Sequence, residues 1–512
     1  MGGANVVTVP QFRQVNVSKS ARPSRDLLAS MVMRQTGQLL SGGRGGGCLI
    51  APCQQPAVHA GLICVNWRRD MLRLRRPDNT MPQTEPIRLE GTVLSPEKNA
   101  LLTRVGPGTP MGELLRRYWM PVAGVSEFDT APIKSIRLLG ENLVLYKDRG
   151  GRFGLIERHC PHRRADLAYG MVEDEGIRCS YHGWRFDQSG LCVEQPYEDI
   201  ANPSPKSRDG CAARAYPVRP FAGLLWVYMG PQPAPELPVY EPFTWANGFR
   251  EVVLADVPCN WFQCQENSID PVHFEWMHDN WGARLKSNAA VYSAKHLKLR
   301  FEEFEHGFVY KRVREGGDER DPQWTVGRVA LWPIGFFLGT HFEWRVPVDD
   351  ENTLSVAWFF MRVPKGREPF VQNSIPTWKS PIRDANGRWI DSHVINQDIV
   401  AWVGQGVIAD RSKEHLRSSD VGITMMRQRF FAEMEKVAAG RDPLGVVRDP
   451  AAARCIELPN MMRRYALEGI TLAEHDQQPV LKHRLREFRH CFGQPPEIRH
   501  AFEQAMGLPG HE

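Results

Sequence analysis

The sequence has 512 residues, of which 42% are hydrophobic and 24% are charged, and its formal net charge is +5. This is the composition of an ordinary globular protein, long enough for about three domains, and it excludes a chain that is disordered throughout. No apolar run reaches about 18 residues, so we expect no membrane-spanning helix and no membrane partner.

Residues 1–94 differ from the rest of the chain. Residues 1–80 contain eleven arginines and lysines but only three acids, which leaves a net charge of −3 for residues 81–512. The body is therefore slightly acidic, and we expect no nucleic-acid partner. Because residues 1–94 show neither a helical nor a strand period, they predict a disordered extension or a mis-set start codon, with Met71 or Met81 as the true start. An organelle transit segment and a functional tail are the alternatives.

The eleven cysteines are an odd number in a long chain. Secreted disulfide scaffolds are short chains with dense, even cysteine counts. We therefore expect a reducing compartment and a cytoplasmic protein, with some of the cysteines binding metal.

The first ordered part of the chain, from about residue 95, is predicted to be mainly β-structure. Leu114–Trp119 predicts a short helix that Pro121 would end. Runs rich in β-branched and aromatic residues, broken by glycine, predict strands. These runs are Ile136–Leu139, Asn142–Tyr146 and Gly223–Tyr228. The proline-rich stretch Pro231–Pro242 predicts a linker, so we expect an all-β domain with a helical lead-in over residues 95–235.

The second part, residues 236–512, mixes strand and helix patterns. A turn at Asp349–Asn352 predicts a hairpin. The predicted strands are Phe308–Tyr310, Trp324–Trp332, His341–Val348 and Thr353–Val363. Asp420–Ala439 predicts a helix, because its apolar residues recur at intervals of three and four and Gly440 follows it. An antiparallel sheet packed against helices, of the α+β class, is the expected architecture.

Two short segments of the first part each place a cysteine close to a histidine. Cys160 and His162 form a Cys-x-His pair, and after sixteen intervening residues Cys179 and His182 follow as Cys-x-x-His. Two thiolates and two imidazoles suit zinc, and they equally suit a [2Fe–2S] cluster with cysteines on one iron and histidines on the other. The spacing alone leaves both open.

The residues around these pairs, His162–Leu167 and His182–Asp187, closely resemble the Rieske iron–sulfur domain. The resemblance implies one [2Fe–2S] cluster per chain. Its ligands would be Cys160 and Cys179 on one iron and His162 and His182 on the other. Respiratory Rieske proteins add a disulfide, but its two positions here are Ala165 and Tyr181, which favours the oxygenase branch.

A second motif, Asp270-x-x-His273-x₄-His278, lies roughly ninety residues later. Two imidazoles and a carboxylate on one face of Fe(II) leave positions open for O₂ and substrate. Residues five apart diverge on a regular helix. The two histidines can therefore converge only where the helix is bent or carries a π-bulge.

Together the motifs resemble the Rieske non-haem iron aromatic ring-hydroxylating oxygenase alpha subunits, in particular the phthalate 4,5-dioxygenase-like group. Leu101–Gly112 and Asn396–Gly406 also match that group. The resemblance implies a helix-grip catalytic domain over residues 236–512 and one mononuclear Fe(II) per chain, bound by His273, His278 and Asp398. Asp391 and Asp410 are rival carboxylates. Two further catalytic residues are implied: Asp270 would bridge the two metal centres, and Asn267 would lie near the iron.

The resemblance implies the oxygenase component of a multicomponent system that hydroxylates an aromatic, carboxylated substrate with O₂. No Rossmann or flavin fingerprint occurs, so the electrons would come from a separate NAD(P)H-dependent reductase. The family arrangement is a ring-shaped homotrimer. A Rieske mono-oxygenase or O-demethylase, a Rieske electron carrier and a zinc-stabilised binding module are the alternatives. Arg300 and Arg345 are the candidates for pairing with a substrate carboxylate.

Overall fold

The computed structural model describes residues 93–204, 206, 208–285, 292–477 and 492–509. These residues belong to one compact unit. The predicted extension, apart from its last two residues, lies outside them. Among the described helices, none is both long and apolar enough to cross a membrane. The proposed division at residue 235 stays a prediction.

The first half of the described chain is built from short strands. The strands are β1 (Trp119–Gly124), β2 (Ile133–Leu138), β3 (Glu141–Lys147), β4 (Phe153–Glu157), β5 (Met171–Val172), β6 (Ile177–Arg178), β7 (Arg185–Phe186), β8 (Cys192–Glu194), β9 (Ala215–Tyr216), β10 (Val218–Phe221) and β11 (Leu224–Tyr228). They form three small sheets in the orders β1-β11-β10, β2-β3-β4-β9 and β5-β6-β7-β8. The helices of this half are α1 (Pro96–Thr103), α2 (Pro110–Leu115) and α3 (Glu198–Ala201). The three predicted strands and the all-β class are confirmed.

The predicted helix Leu114–Trp119 is wrong in its second half. Helix α2 ends at Leu115, and Trp119 already pairs with Tyr228 across the antiparallel β1–β11 ladder. Pro121 lies inside β1, at the edge of its sheet and beside a register shift, which are positions where a strand tolerates proline.

The second half is dominated by one large sheet. Its strands are β12 (Gly248–Val257), β13 (His296–Phe304), β14 (Gly307–Arg314), β15 (Arg328–Leu331), β16 (Gly335–Phe337), β17 (His341–Pro347), β18 (Thr353–Arg362) and β19 (Thr377–Lys379). Their order is β13-β14-β15-β16-β17-β18-β12-β19, and neighbours are antiparallel except for β12 and β19. The β17–β18 hairpin is confirmed. The predicted strand Trp324–Trp332 is wrong at its start, because Pro322–Thr325 forms a helical turn and Gly327 has a positive φ of 84°.

Helices cover this sheet. They are α4 (Trp261–Asn267), a π-helix (Phe274–Trp281), α5 (Gly282–Leu285), α6 (Pro322–Thr325), α7 (Val394–Gly404), α8 (Val421–Ala438), α9 (Arg463–Glu468), α10 (Leu472–Gln477) and α11 (Pro496–Met506). Helix α8 confirms the helix predicted over Asp420–Ala439. The α+β class of the second half is confirmed as well.

One face of the large sheet packs against the small β-sheets. Trp344 of β17 lies 5.3 Å from the ring of Trp226 on β11, and Trp358 of β18 lies 4.9 Å from the ring of Phe243. These rings are buried in a single core that includes residues from both halves. Burying several large aromatic side chains ties the two halves together.

The opposite face of the large sheet lies under the helices. Arg345 of β17 stacks 4.5 Å above the ring of Trp402 on α7. Directly paired residues and alternate residues along a strand share a face, so the register extends this face across four strands. The polar and aromatic side chains on it include Tyr310, Arg312, Arg328, Phe336, Glu343 and Arg345.

Candidate metal centres

Two similar loops hold the four Cys and His residues of the first motif. After β4, the amide of Cys160 donates to the carbonyl of Ala165 at 2.8 Å. Between β6 and β7, the amide of Cys179 donates to the carbonyl of Trp184 at 2.8 Å. Gly183, with a φ of +76°, allows the second loop to turn back. Each loop thus presents one sulfur and one imidazole from a hydrogen-bonded turn.

The sulfurs and the imidazoles lie in different environments. Cys160 and Cys179 are only 1% and 2% exposed, whereas His162 and His182 are exposed, with ring centroids 4.5 Å apart. Burial, with Cys179 alongside, raises the pKa of the Cys160 thiol to about 12. A metal ion is what would stabilise the thiolate form there. The imidazole pair forms the solvent-facing edge of the site.

The four side chains do not converge on one point. Among the described residues, one group of three or more such side chains has ligand atoms within 4.8 Å of one another, and it is His273, His278 and Asp398. Tetrahedral zinc would bring its Cys and His ligands closer than that to one another. A buried cysteine pair and a separate histidine pair instead suit the two irons of a [2Fe–2S] cluster.

The second motif folds as the sequence predicted. Phe274–Trp281 is a π-helix, with His273 at its N-terminal end and His278 inside it. The wider π turn brings residues five apart to one side, and the two rings are 5.2 Å apart. This confirms the local distortion that convergence of the two histidines required.

Asp398 joins this pair from α7. Its Oδ1 lies 3.3 Å from Nε2 of His278 and 3.7 Å from Nε2 of His273. Both Asp398 Oδ1 and His278 Nε2 are buried without a hydrogen-bond partner, which is costly unless a further group satisfies them. A metal ion bound by two imidazoles and one carboxylate fits these atoms.

The rival carboxylates lie outside this group. Asp410 is exposed and accepts hydrogen bonds from Ser412, and the ammonium of Lys413 lowers its pKa to about 2. Asp391 lies before α7, and its backbone carbonyl accepts from the Gln397 amide at 3.0 Å. Neither belongs to the converging group.

Comparison with known proteins decides the family. Residues 118–205 match the Rieske [2Fe-2S] domain family, and residues 386–458 match the family described as LigXa C-terminal domain like. The chain is 56% identical over 416 residues to the 5,5'-dehydrodivanillate O-demethylase oxygenase subunit of Sphingobium sp. (strain NBRC 103272 / SYK-6), which covers 81% of this chain and 98% of that protein. The chain belongs to the Rieske oxygenase family. It is an oxygenase subunit with a Rieske [2Fe–2S] domain.

Other relatives of this oxygenase are more distant. It is 31% identical over 404 residues to the phthalate 4,5-dioxygenase oxygenase subunit of Pseudomonas putida, which covers 69% of this chain and 89% of that protein. The solved structure of Pseudomonas putida CBB5 NdmA aligns with a TM-score of 0.47 at 19% identity, over 67% of this chain and 96% of that chain.

Gln397, which sequence reasoning missed, orients one histidine of the oxygenase. Its Oε1 lies 3.0 Å from Nδ1 of His278, while its own amide nitrogen donates to Asp391. Because the amide group donates elsewhere, Oε1 must accept, so His278 carries its proton on Nδ1 and presents a bare Nε2 towards Asp398. The only signal in the sequence was its position next to Asp398.

Asp270 and Asn267 lie just before the N-terminal end of the π-helix in the chain. Oδ1 of Asp270 accepts from the amide of Val272 at 2.8 Å, and its Oδ2 lies 3.6 Å from Nδ1 of His273, too far for a hydrogen bond. The carboxylate is 28% exposed. Asn267 ends α4, and its carbonyl accepts from the amide of Asp270 at 3.2 Å. Their catalytic roles stay predictions.

The two arginines proposed for a substrate carboxylate form internal ion pairs. Arg345 is 1% exposed and lies 2.6 Å from Glu343. Arg300 lies on β13, an outer strand, 2.9 Å from Glu302. A guanidinium already neutralised by a carboxylate has less to gain from a second one.

Proposed function

We propose that this Rieske oxygenase removes the methyl group from a methoxylated aromatic acid, as the name of its 56%-identical relative describes. The observation that carries the proposal is that identity, which extends over 98% of a protein named as an O-demethylase subunit. The dioxygenase relative is only 31% identical. O-demethylation, the alternative in the sequence-based interpretation, is therefore favoured over cis-dihydroxylation.

The proposal assigns the metal ligands in two sets. Cys160 and Cys179 would bind one iron of the cluster, and His162 and His182 the other. The second set, His273, His278 and Asp398, would bind one ferrous ion. When bound, the cluster supplies single electrons and the ferrous ion activates O₂. The orphaned, buried atoms of Asp398 and His278 support the second assignment.

The side chains around the metals position them and shape the route of the electrons. Burial shields the sulfur side of the cluster site, so the exposed His162 and His182 would be the edge through which a bound cluster passes on its electrons. We propose a ring trimer in which Asp270, partly exposed beside His273, accepts a hydrogen bond from the partner subunit's His182. A carboxylate there would link the two centres and orient both imidazoles.

The proposed O-demethylation consumes one molecule of O₂ and takes two electrons from a reductase. One oxygen atom of O₂ enters a C–H bond of the methoxy methyl group. The other leaves as water, with two electrons from a separate NAD(P)H-dependent reductase and two protons. In the resulting hydroxymethyl ether, the bond between the aryl ether oxygen and the former methyl carbon then breaks. The proton of the new hydroxyl group passes to the aryl oxygen, which releases formaldehyde and a phenol.

The test is a product analysis with 5,5'-dehydrodivanillate, O₂, NADH and a purified reductase that reduces the cluster. We expect formaldehyde in equal amount to a product that has lost one methylene unit of mass. Phthalate, offered in parallel, should give little product. A product that keeps its methoxy groups and gains two hydroxyl oxygens would contradict demethylation, as would reduction of the cluster without any product.

A further inference from the structure

Two guanidinium groups lie against the ring of Phe274, and this ring lies against the rings of both histidines of the second metal centre. The Cζ atoms of Arg328 and Arg312 are 4.4 Å and 5.0 Å from the ring centroid of Phe274. That ring lies 4.3 Å from the ring of His273 and 5.2 Å from the ring of His278. The strand register puts both arginines on the sheet face under the iron-binding helices.

Arg312 differs from the other buried arginines of the described chain. Five of them have a carboxylate partner: Arg116 with Glu141, Arg345 with Glu343, Arg362 with Glu368, and Arg411 and Arg427 with Glu266. Arg312 donates to Gln323 Oε1 at 2.5 Å and to the Pro271 carbonyl at 3.4 Å, and lies 3.3 Å from the His296 ring nitrogen. These three groups are uncharged, so the guanidinium of Arg312 has no carboxylate partner among them.

Two neighbouring side chains on this face have buried polar atoms without hydrogen-bond partners. Nε and Nη1 of Arg328 are buried without a hydrogen-bond partner, and so is the hydroxyl of Tyr310, which is 1% exposed. Tyr310 is directly paired with Arg328 across β14 and β15. Three buried donor atoms thus lie together on one side of the metal centre.

The charges of this cluster are not balanced. Burial and the charge of Arg328 lower the pKa of Arg312 to about 9, so the guanidinium of Arg312 stays protonated at neutral pH. Arg312 is buried and Arg328 is partly buried, and among the described residues neither guanidinium forms an ion pair with a carboxylate. Asp279, whose charge also acts on Arg312, is paired with Arg314 instead. Buried donors without acceptors are costly. A carboxylate accepts several hydrogen bonds and supplies the missing negative charge.

We propose that Arg328, with Tyr310 and Arg312, binds the carboxylate of an aromatic acid substrate in this oxygenase. The inference rests on the proposed function, since it takes the acid named there as the ligand. A carboxylate on Arg328 would lay the aromatic ring alongside Phe274. The methoxy group at the far side of that ring then points towards His273 and His278.

Binding without turnover tests this assignment. The dissociation constants of 5,5'-dehydrodivanillate and of its dimethyl ester are measured by calorimetry, without O₂ or reductase. We expect wild type to prefer the acid and Arg328→Gln to weaken binding of the acid by about 30-fold while leaving the ester unchanged, as loss of a charge-assisted pair predicts. Tyr310→Phe should weaken the acid several-fold.

Two further variants complete the test. Arg300→Gln, on the outer strand, is the matched control and should bind the acid like wild type. Arg328→Lys, which keeps the charge but not the forked geometry, should fall between wild type and Arg328→Gln. The visible spectrum of the cluster verifies that each variant is folded.

The outcomes separate this inference from the proposed function. Equal affinity for acid and ester, no detectable binding of the acid, or full affinity in Arg328→Gln would overturn the carboxylate site, even if demethylation occurs. Acid binding that depends on Arg328 in a protein that does not demethylate would sustain the site and refute the proposed function.

Discussion

The three side chains of the second metal centre come from separate positions in the chain, and each is held differently. His273 starts the π-helix and His278 lies inside it, while Asp398 comes from α7. Gln397, the residue before Asp398, fixes the ring of His278 through a 3.0 Å contact. One turn of α7 therefore supplies both the carboxylate proposed to bind the metal and the group that orients a histidine.

Replacing Gln397 with leucine should weaken metal binding without removing a ligand. The variant keeps similar volume but loses the acceptor for Nδ1 of His278, and such a loss typically lowers metal affinity by about 10–100-fold. Titration of the apoprotein with Co(II), followed by its absorption, measures the affinity. Gln405→Leu, exposed at the end of α7, is the control. Equal affinity in the two variants would contradict the orienting role.

The sequence predicts the role of a single residue where metal binding requires one type of residue at a fixed spacing. His273, His278 and Asp398 were assigned from motif and resemblance, and the structure brings them together. Arg328 and Tyr310 were missed because their meeting depends on the register of two strands separated by a helical turn. No local pattern in the sequence encodes that register.

At the scale of secondary structure elements, a buried acid joins β12, β19 and the segment before α11. Glu251 of β12 is 1% exposed and accepts from Trp378 Nε1 at 2.8 Å and from Gln494 at 3.0 Å. Burial raises its pKa from 4.5 to about 7, against the opposing effects of these hydrogen bonds and of the positive charge of Arg499. Folding thus favours the protonated acid.

The raised pKa of Glu251 should make the free energy of unfolding depend on pH. Its stabilising contribution is complete below pH 4.5, the unfolded pKa, and is lost as the pH rises through about 7. The loss in the free energy of unfolding is on the order of 3 kcal/mol. The melting temperature of wild type should therefore fall between pH 5 and pH 8 relative to that of Glu251→Gln.

Glu497→Gln, an exposed change on α11, controls for the effect of removing a carboxylate. Its melting temperature should follow that of wild type at each pH. If Glu251→Gln also follows wild type, the raised pKa of Glu251 is refuted.

Elements were predictable where local signals agree with the packing. Helix α8 has both its apolar spacing and the terminal Gly440, and its prediction was right to within one residue at each end. The β17–β18 hairpin likewise has a polar turn between two apolar strands. Arg116–Trp119 deviated from its predicted helix because pairing with β11 overrides local propensity.

At the scale of the whole molecule, the oxygenase presents an exposed imidazole edge at one centre and a partly exposed carboxylate at the other. His162 and His182 form the first, and Asp270, 28% exposed, lies beside His273 at the second. In the proposed trimer these two surfaces meet across subunits. The trimer was inferred from family resemblance, since one sequence carries no information about how copies assemble.

Asp270→Asn should separate electron transfer from metal binding. The amide has nearly the shape of the acid but lacks its charge, so both metal sites should remain loaded. Electron passage between the centres should slow by about tenfold or more, because the charged link that orients the imidazoles is lost. Stopped-flow reoxidation of the reduced cluster by O₂ with substrate present measures this. An unchanged rate would exclude a bridging role for Asp270.

Iron analysis with Mössbauer spectroscopy shows whether one chain binds both a two-iron cluster and a separate ferrous ion. We expect about three irons per wild-type chain, and about two in Asp398→Ala with the cluster signal unchanged. Asp391→Ala should keep all three. Two irons in wild type, or a third iron that persists in Asp398→Ala, would contradict the account.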